Sequence, residues 1–241
     1  LAGGSQGSSN TDGSINTTYT SVNTTAGFSI STYEGTGSAA TVGHGLGVTP
    51  AMVLVKNIDA AQNWLMYHQD IGATKYLRLN LTNGQGTSSG PWNNTAPTSS
   101  VFYIGADGAV TGNGQTHVAY CFAEKTGYSK FGSFTGNGNV DGPFVFCGFK
   151  PAFVLAKNSS INDWWSMFDN KRLGFNSSDS PRLLFPSANS TESTSKMLDF
   201  TSNGFKIRST NTGVNGNGNT TIFMAFGQSI VGSNNVPCTA T

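Results

Sequence analysis

The chain repeats itself. Gly47-Val-Thr-Pro-Ala-Met-Val-Leu-Val-Lys-Asn57 lies over Gly148-Phe-Lys-Pro-Ala-Phe-Val-Leu-Ala-Lys-Asn158 at an offset of 101 residues, and the match runs on to Trp64 over Trp165. Further along the offset becomes 104, where Gly112-Asn-Gly-Gln-Thr116 matches Gly216-Asn-Gly-Asn-Thr220 and Phe122 matches Phe226. At the front, Gly27-Phe-Ser29 matches Gly127-Tyr-Ser129. A fold for this chain must therefore be one that can be built twice. The repeat divides the 241 residues into a polar leader (1–26), repeat one (27–126), repeat two (127–232) and a short tail (233–241). Nothing like a linker separates the repeats, which predicts two halves packed together.

The period inside each repeat is two. Val118, Tyr120 and Phe122 alternate with small residues, and Ile222, Met224 and Phe226 share one face in the second copy. Val53–Lys56 and Phe153–Lys157 read as strands buried on both faces, each introduced by a proline (Pro50, Pro151) that fits a strand start. Asn-Gly and Asp-Gly steps are frequent, among them those at 83, 107, 113, 137, 141 and 203, and read as hairpin turns. No sustained helical stripe is present. The fold class expected is all-β: two tandem pseudo-symmetric β-sandwich repeats, jelly-roll or lectin-like, with six or seven strands each.

Composition narrows the function. Charged residues make up 10% of the chain and the net charge is +1. The scattered cations make no basic face for nucleic acid. The longest strongly apolar run, Ala51–Val55, is far short of the ~20 residues that span a bilayer. Leu1–Gln6 is polar and does not read as a signal peptide. Ser, Thr, Asn and Gly together account for 111 residues, a surface that stays soluble with little long-range field and suits weak contacts multiplied by copy number. The three cysteines cannot form a complete internal set. Cys121 and Cys147 read as small buried residues, with a disulfide between them open, and Cys238 sits in the polar tail.

Catalytic signatures are absent. His44, His68 and His117 have no metal-spacing partners, and matching positions in repeat two hold Val145, Asp169 and Thr221. All three read as surface or loop histidines. Gly43-His-Gly-Leu-Gly47 lacks a following helix and reads as a turn rather than a dinucleotide fingerprint. No EF-hand, P-loop or Gly-x-Ser-x-Gly is found, so no catalytic residue, metal site or cofactor is expected. Asp163 and Asp169 flank Trp164-Trp165, an arrangement compatible with a sugar cleft and, as a minor alternative, with glycan cleavage. Trp64 and Trp165 match each other and read as core. Trp92 and Trp164 have no counterpart, and Trp92 lies in the loop-like Gly90-Pro-Trp-Asn-Asn-Thr95. The ligand-binding candidates are therefore Trp92, Asn93, Asp163 and Trp164, aromatic faces for sugar C–H groups beside polar partners for hydroxyls.

A resemblance adds to this. Thr41-Val-Gly-His-Gly-Leu-Gly-Val-Thr-Pro-Ala-Met-Val-Leu-Val-Lys56, Val118-Ala-Tyr-Cys-Phe-Ala123, Gly127-Tyr-Ser-Lys-Phe-Gly-Ser-Phe-Thr-Gly-Asn-Gly138, Asp141-Gly-Pro-Phe-Val145 and Ser202-Asn-Gly-Phe-Lys206 together resemble a β-rich module of tail-fibre-like virion proteins of tailed, notably marine, bacteriophages. The likeness covers roughly residues 10–230. It implies an extracellular virion-surface protein that is not an enzyme and attaches to the host cell. Its partners would be a surface glycan or outer-membrane receptor and other virion tail proteins, and it would be a homotrimer that inserts into no membrane. The virion-docking domain and shaft common to such fibres are not seen: they belong to a longer product, or attachment differs. The alternative is a structural subunit of a virion or extracellular filament, with the leader, including Thr17–Val22, adding a strand to a neighbour.

Overall fold

The structure, a computed structural model, describes residues 7–172, 176 and 182–227. Cys238 and the tail from 233 lie outside the described residues. The first half runs β1 (Tyr19–Asn23), β2 (Phe28–Glu34), β3 (Ala40–Gly43), β4 (Met52–Asn57), β5 (Leu65–His68), β6 (Lys75–Arg78), β7 (Gly86–Thr87), a single turn α1 (Ser89–Trp92), β8 (Val101–Ile104), a single turn α2 (Gly108–Thr111) and β9 (Thr116–Phe122). The second half runs β10 (Ser129–Thr135), β11 (Phe144–Phe146), β12 (Pro151–Asn158), β13 (Ser166–Asp169), β14 (Leu198–Thr201), β15 (Gly204–Ile207), a single turn α3 (Thr212–Asn215) and β16 (Thr220–Gly227). The fold is all-β, as expected. From Phe28 on, the first half carries eight strands rather than six or seven, because the polar segment 75–87 adds β6 and the two-residue β7.

The strands form four sheets, in the orders β1-β2-β9-β4-β5-β6-β7, β10-β16-β12-β13, β11-β15-β14 and β3-β8. Alternation along the central strands splits their side chains between different cores. In β4, Val53 and Val55 join a first cluster with Phe102 and Ile104 of β8. Met52 and Leu54 turn the other way, into a middle cluster with Phe131, Leu155, Trp165 and Ile222 of the second half. In β12, Val154 and Ala156 face a third cluster with Val145, Phe205 and Ile207. The two larger sheets thus pack face to face, and each carries a smaller sheet on its outer side. This is why β4 and β12 are apolar on both faces. Each large apolar side chain buried in the middle cluster contributes about 1.5–3 kcal/mol, against ~0–1 for an exposed ion pair such as Lys130–Glu124. The association of the halves is therefore hydrophobic. Trp64 and Trp165 both pack in this middle layer, as their match suggested.

Corresponding strands share registers. Tyr33 stands opposite His117 and Phe134 opposite Thr221. Phe28 faces Phe122 while Ser129 faces Phe226, so the backbone offset at this strand is 101 and the front match of Gly27 with Gly127 is one residue out of step. Val42 pairs with Phe102 as Val145 pairs with Phe205, which makes Cys147, not Val145, the positional partner of His44.

Several expectations are corrected. The leader packs on its own half: β1 forms a hairpin with β2, and Ile15 bridges Val42. Of the Gly steps, Gly114 and Gly138 sit at positive φ in turns, but Asp107 instead caps α2 by accepting the Ala109 N–H. Cys121 and Cys147, by contrast, are buried as read, and they are free; burial pushes the Cys147 thiol up to about 12.

The three histidines are buried, not on the surface. Each trades water for backbone partners. His44 Nδ1 accepts the Leu46 N–H at 3.2 Å, and His68 Nδ1 accepts the Asp70 N–H at 3.3 Å. His68 Nε2 meets the Phe223 carbonyl at 3.2 Å, tying the halves together. His117 stacks on Tyr33 at 5.2 Å and accepts the Gly112 N–H. Burial lowers the pKa of all three, so the fold holds them neutral. Below pH ~6.5 the unfolded chain binds more protons than the native one, and stability falls with pH, by up to about 1.4 kcal/mol per histidine per pH unit. Urea unfolding midpoints should drop steadily from pH 7 to roughly 5, above the range where carboxylates protonate. A flat profile across that window would contradict the neutral assignment.

Candidate functional site

The turn from β12 into β13 is where sequence expectation and structure meet. It begins with Lys157, whose side chain is 0% exposed. Its Nζ donates to the carbonyls of Thr82 (3.1 Å), Ile161 (3.1 Å) and Asp163 (2.8 Å). Burial lowers its pKa to about 8. A buried ammonium is tolerated only when its donors are met, and three carbonyl oxygens meet them here. Thr82 belongs to the first half, so this ammonium also ties the turn across the seam. The backbone reinforces it: Asp163 N–H donates to Thr82 O, Gln85 N–H to Ser159 O, and Gly84 N–H to Asn162 Oδ1. Asn158 Nδ2 anchors the Thr212 carbonyl of α3. Trp165 closes the lower side, its Nε1 donating to Arg78 O at 2.9 Å.

On this braced turn Trp164 is 43% exposed. Its backbone N–H donates to Asp163 Oδ1 at 2.7 Å, and its ring rests against Phe185 with centroids 4.6 Å apart and planes at 51°. In the first half, Lys56 Nζ reaches the Asn57 and Ala60 carbonyls in the same manner, but the place of Trp164 is held by Asn63, bonded to Asn80. The exposed aromatic is thus peculiar to the second half. Chemically, the turn offers an exposed apolar ring face.

The four candidate residues do not form one site. Trp92 is only 2% exposed and packs edge-on to Tyr67, with ring centroids 6.1 Å apart, in the first core. The reason is local. Ser88 accepts the Gly90 N–H and starts a helical turn, and that turn rolls Pro91 and Trp92 inward. Asn93 ends the turn in the left-handed region (φ 48°) and is exposed, without its tryptophan beside it on the surface. Asp163 and Trp164 adjoin each other at the seam. Asp169 lies at the far end of β13, roughly 20 Å along the extended chain from Asp163. Its carboxylate is engaged by the Lys171 and Arg172 N–H groups and by Arg172 Nε at 2.7 Å. In the Asn137–Asp141 loop, Asn137 Oδ1 and Asn139 Oδ1 accept the backbone N–H groups of Asn139 and Asp141. No cluster of three or more metal-ligating side chains exists among the described residues. Sequence reasoning missed Phe185, which has no repeat signal, and the work of Lys157. The repeated Lys-Asn pair closing two doubly buried strands was the available clue to the latter.

The whole arrangement falls inside one conserved-domain match. The chain belongs to the DUF7483 family, a domain of unknown function. The family model covers residues 1–229, from the leader through the last strand. No curated protein and no solved structure matches the chain.

Two stability tests follow from the geometry. Lys157→Met strands three carbonyl oxygens and should cost about 2–4 kcal/mol in urea unfolding, with a shift in tryptophan emission as the turn loosens. Trp92→Ala should cost about 3–5 kcal/mol, whereas Trp164→Ala should change stability by under ~1. Equal costs for the two tryptophans would contradict the burial assignment.

Proposed function

We propose that the chain is a non-enzymatic attachment module of a bacteriophage virion, tail-fibre-like, that binds a glycan or outer-membrane component on the host cell. In this reading the chain is a pair of pseudo-symmetric β-sandwich repeats of the jelly-roll or lectin-like kind, presented on the virion as a homotrimer. The observation that carries it is Trp164, an exposed aromatic ring on a turn immobilised from beneath by Lys157. A ring held in place loses little entropy on binding, which is what a weak sugar contact requires. The surface supports the same reading. At a net charge of +1 its contacts depend little on salt, and copy number on an oligomer multiplies weak affinities. The sequence resemblance to tail-fibre-like proteins supplies the setting. No helix among the described residues is long and apolar enough to cross a membrane.

The test uses purified protein and a panel of bacterial cells. Wild type should bind some strains, and periodate oxidation of the cell surface should remove the binding. Trp164→Ala should weaken it by about tenfold or more while its melting curve stays unchanged. Absence of cell binding at high protein concentration, or undiminished binding by the variant, sinks the proposal.

A further inference from the structure

β10 and β11 are edge strands of two different sheets, and a groove runs between them. It holds about 680 Å³ of space open to solvent. Gly132 forms its floor, where an added Cβ would come within 3.0 Å of the Phe223 ring. Phe144 and Phe146 stand along one wall, 48% and 64% exposed. Gln69 and Asp70, just after β5 in the first half, contribute to the rim with Lys130.

The first half shows what such a gap accommodates. There the space between β2 and β3 is filled by the chain's own leader. Thr20 pairs with Ser31, Ile15 N–H donates to Thr41 O at 3.0 Å, and a hydroxyl relay runs Thr17–Thr20–Ser31 to the Gly43 carbonyl. The occupant is an extended, hydroxyl-rich chain. By register, Ser31, Thr41 and Gly43 correspond to Gly132, Phe144 and Phe146. A Cβ on Gly43 would fall 1.6 Å from Asn10 Oδ1, so the position occupied by Phe146 rejects a leader of this kind. Ala123–Tyr128 leads from β9 into β10 and supplies no upstream segment to fill the second gap.

The start of β10 is also closed to an added β-strand. Ser129 N–H donates to Lys125 O, Phe131 N–H donates to Glu124 Oε1 at 3.0 Å, and Phe131 O accepts from Gln69 Nε2 at 3.0 Å. These bonds occupy the outward backbone groups in the first part of β10 that an added strand would need. Aromatic faces and side-chain hydrogen-bonding groups remain: the Asp70 carboxylate, the Ser133 hydroxyl, and the Lys130 ammonium already paired with Glu124 at 3.0 Å. Apolar faces for ring C–H groups, flanked by a few polar groups for hydroxyls, are the chemistry of sugar binding. Among the described residues that line the groove, the cation is Lys130, and its pairing with Glu124 leaves little to favour a polyanion.

We propose that this groove is a carbohydrate site that takes an uncharged oligosaccharide, its ring faces on Phe144 and Phe146 and its hydroxyls on Asp70 and Ser133. The site rests on the attachment reading for its ligand class only and is separate from Trp164. The test probes the full chain with an array of bacterial O-antigen and capsular polysaccharides, neutral α- and β-linked gluco- and manno-hexaoses, and a random octapeptide array. The double variant Phe144→Ala/Phe146→Ala, both positions exposed, should keep its melting curve and bind neutral glycans about tenfold or more weakly, and Asp70→Asn should also weaken them. Wild-type binding should persist up to roughly 0.5 M salt. The proposal falls if no glycan binds, if the double variant binds glycans as wild type does, or if the bound glycans are polyanions released by salt. It also falls if the groove variant instead loses octapeptide binding or loses concentration-dependent self-association. Loss in the groove variant with full retention in Trp164→Ala would keep this site and sink the Trp164 reading.

Discussion

The packing of two β-sheets against each other through one shared apolar layer holds the rest of the molecule in place. Met52, Leu54 and Met66 meet Phe131, Leu155 and Trp165 across it. Because the central strands serve a core on each face, neither half can be removed without exposing the apolar side of the other. The same layer sets the position of everything polar at its margin. Trp165 reaches Arg78 O, His68 reaches Phe223 O and Lys157 reaches Thr82 O only because the sheets lie at this distance and register.

The abundance of Asn, Ser and Thr serves the backbone as much as the surface. Asn57 and Asn158 are fully buried at the ends of β4 and β12, where each ties down the turn that precedes the last strand of its half: Asn57 through Gly108 O and Asn158 through Thr212 O. Asn215 donates to Asn137 Oδ1, Asn139 O and Ser209 O. Short strands joined by many loops leave many unpaired backbone groups, and small amide and hydroxyl side chains satisfy them without bringing charge into the interior. Such bonds brace the turn on which Trp164 stands exposed.

The two halves differ where function is expected. The first half closes its gap with its own leader and puts Asn63 where the second half has Trp164. The second half leaves its gap open and lines it with phenylalanine. The repeated sequence thus holds two copies that have diverged at the leader-facing gap and at the turn after the second central strand.

Period-two alternation, the matched Lys-Asn strand ends and the Trp64–Trp165 correspondence were sufficient to read an all-β chain with doubly buried central strands, since these patterns are local and follow from the pleat. The destination of single side chains was not readable. Trp92 looked like a loop residue by its Gly-Pro-Trp-Asn-Asn setting, but one helical turn carried it into the core. The histidines looked superficial because the repeat does not require them, yet each found backbone partners inside. Nothing in the sequence marks Phe144 and Phe146, and only the neighbouring edge of β10 makes them a wall. Alternation and turn chemistry act over a few residues and are written in the sequence. Burial, groove and seam depend on what arrives from a hundred residues away, and only the packed chain decides that.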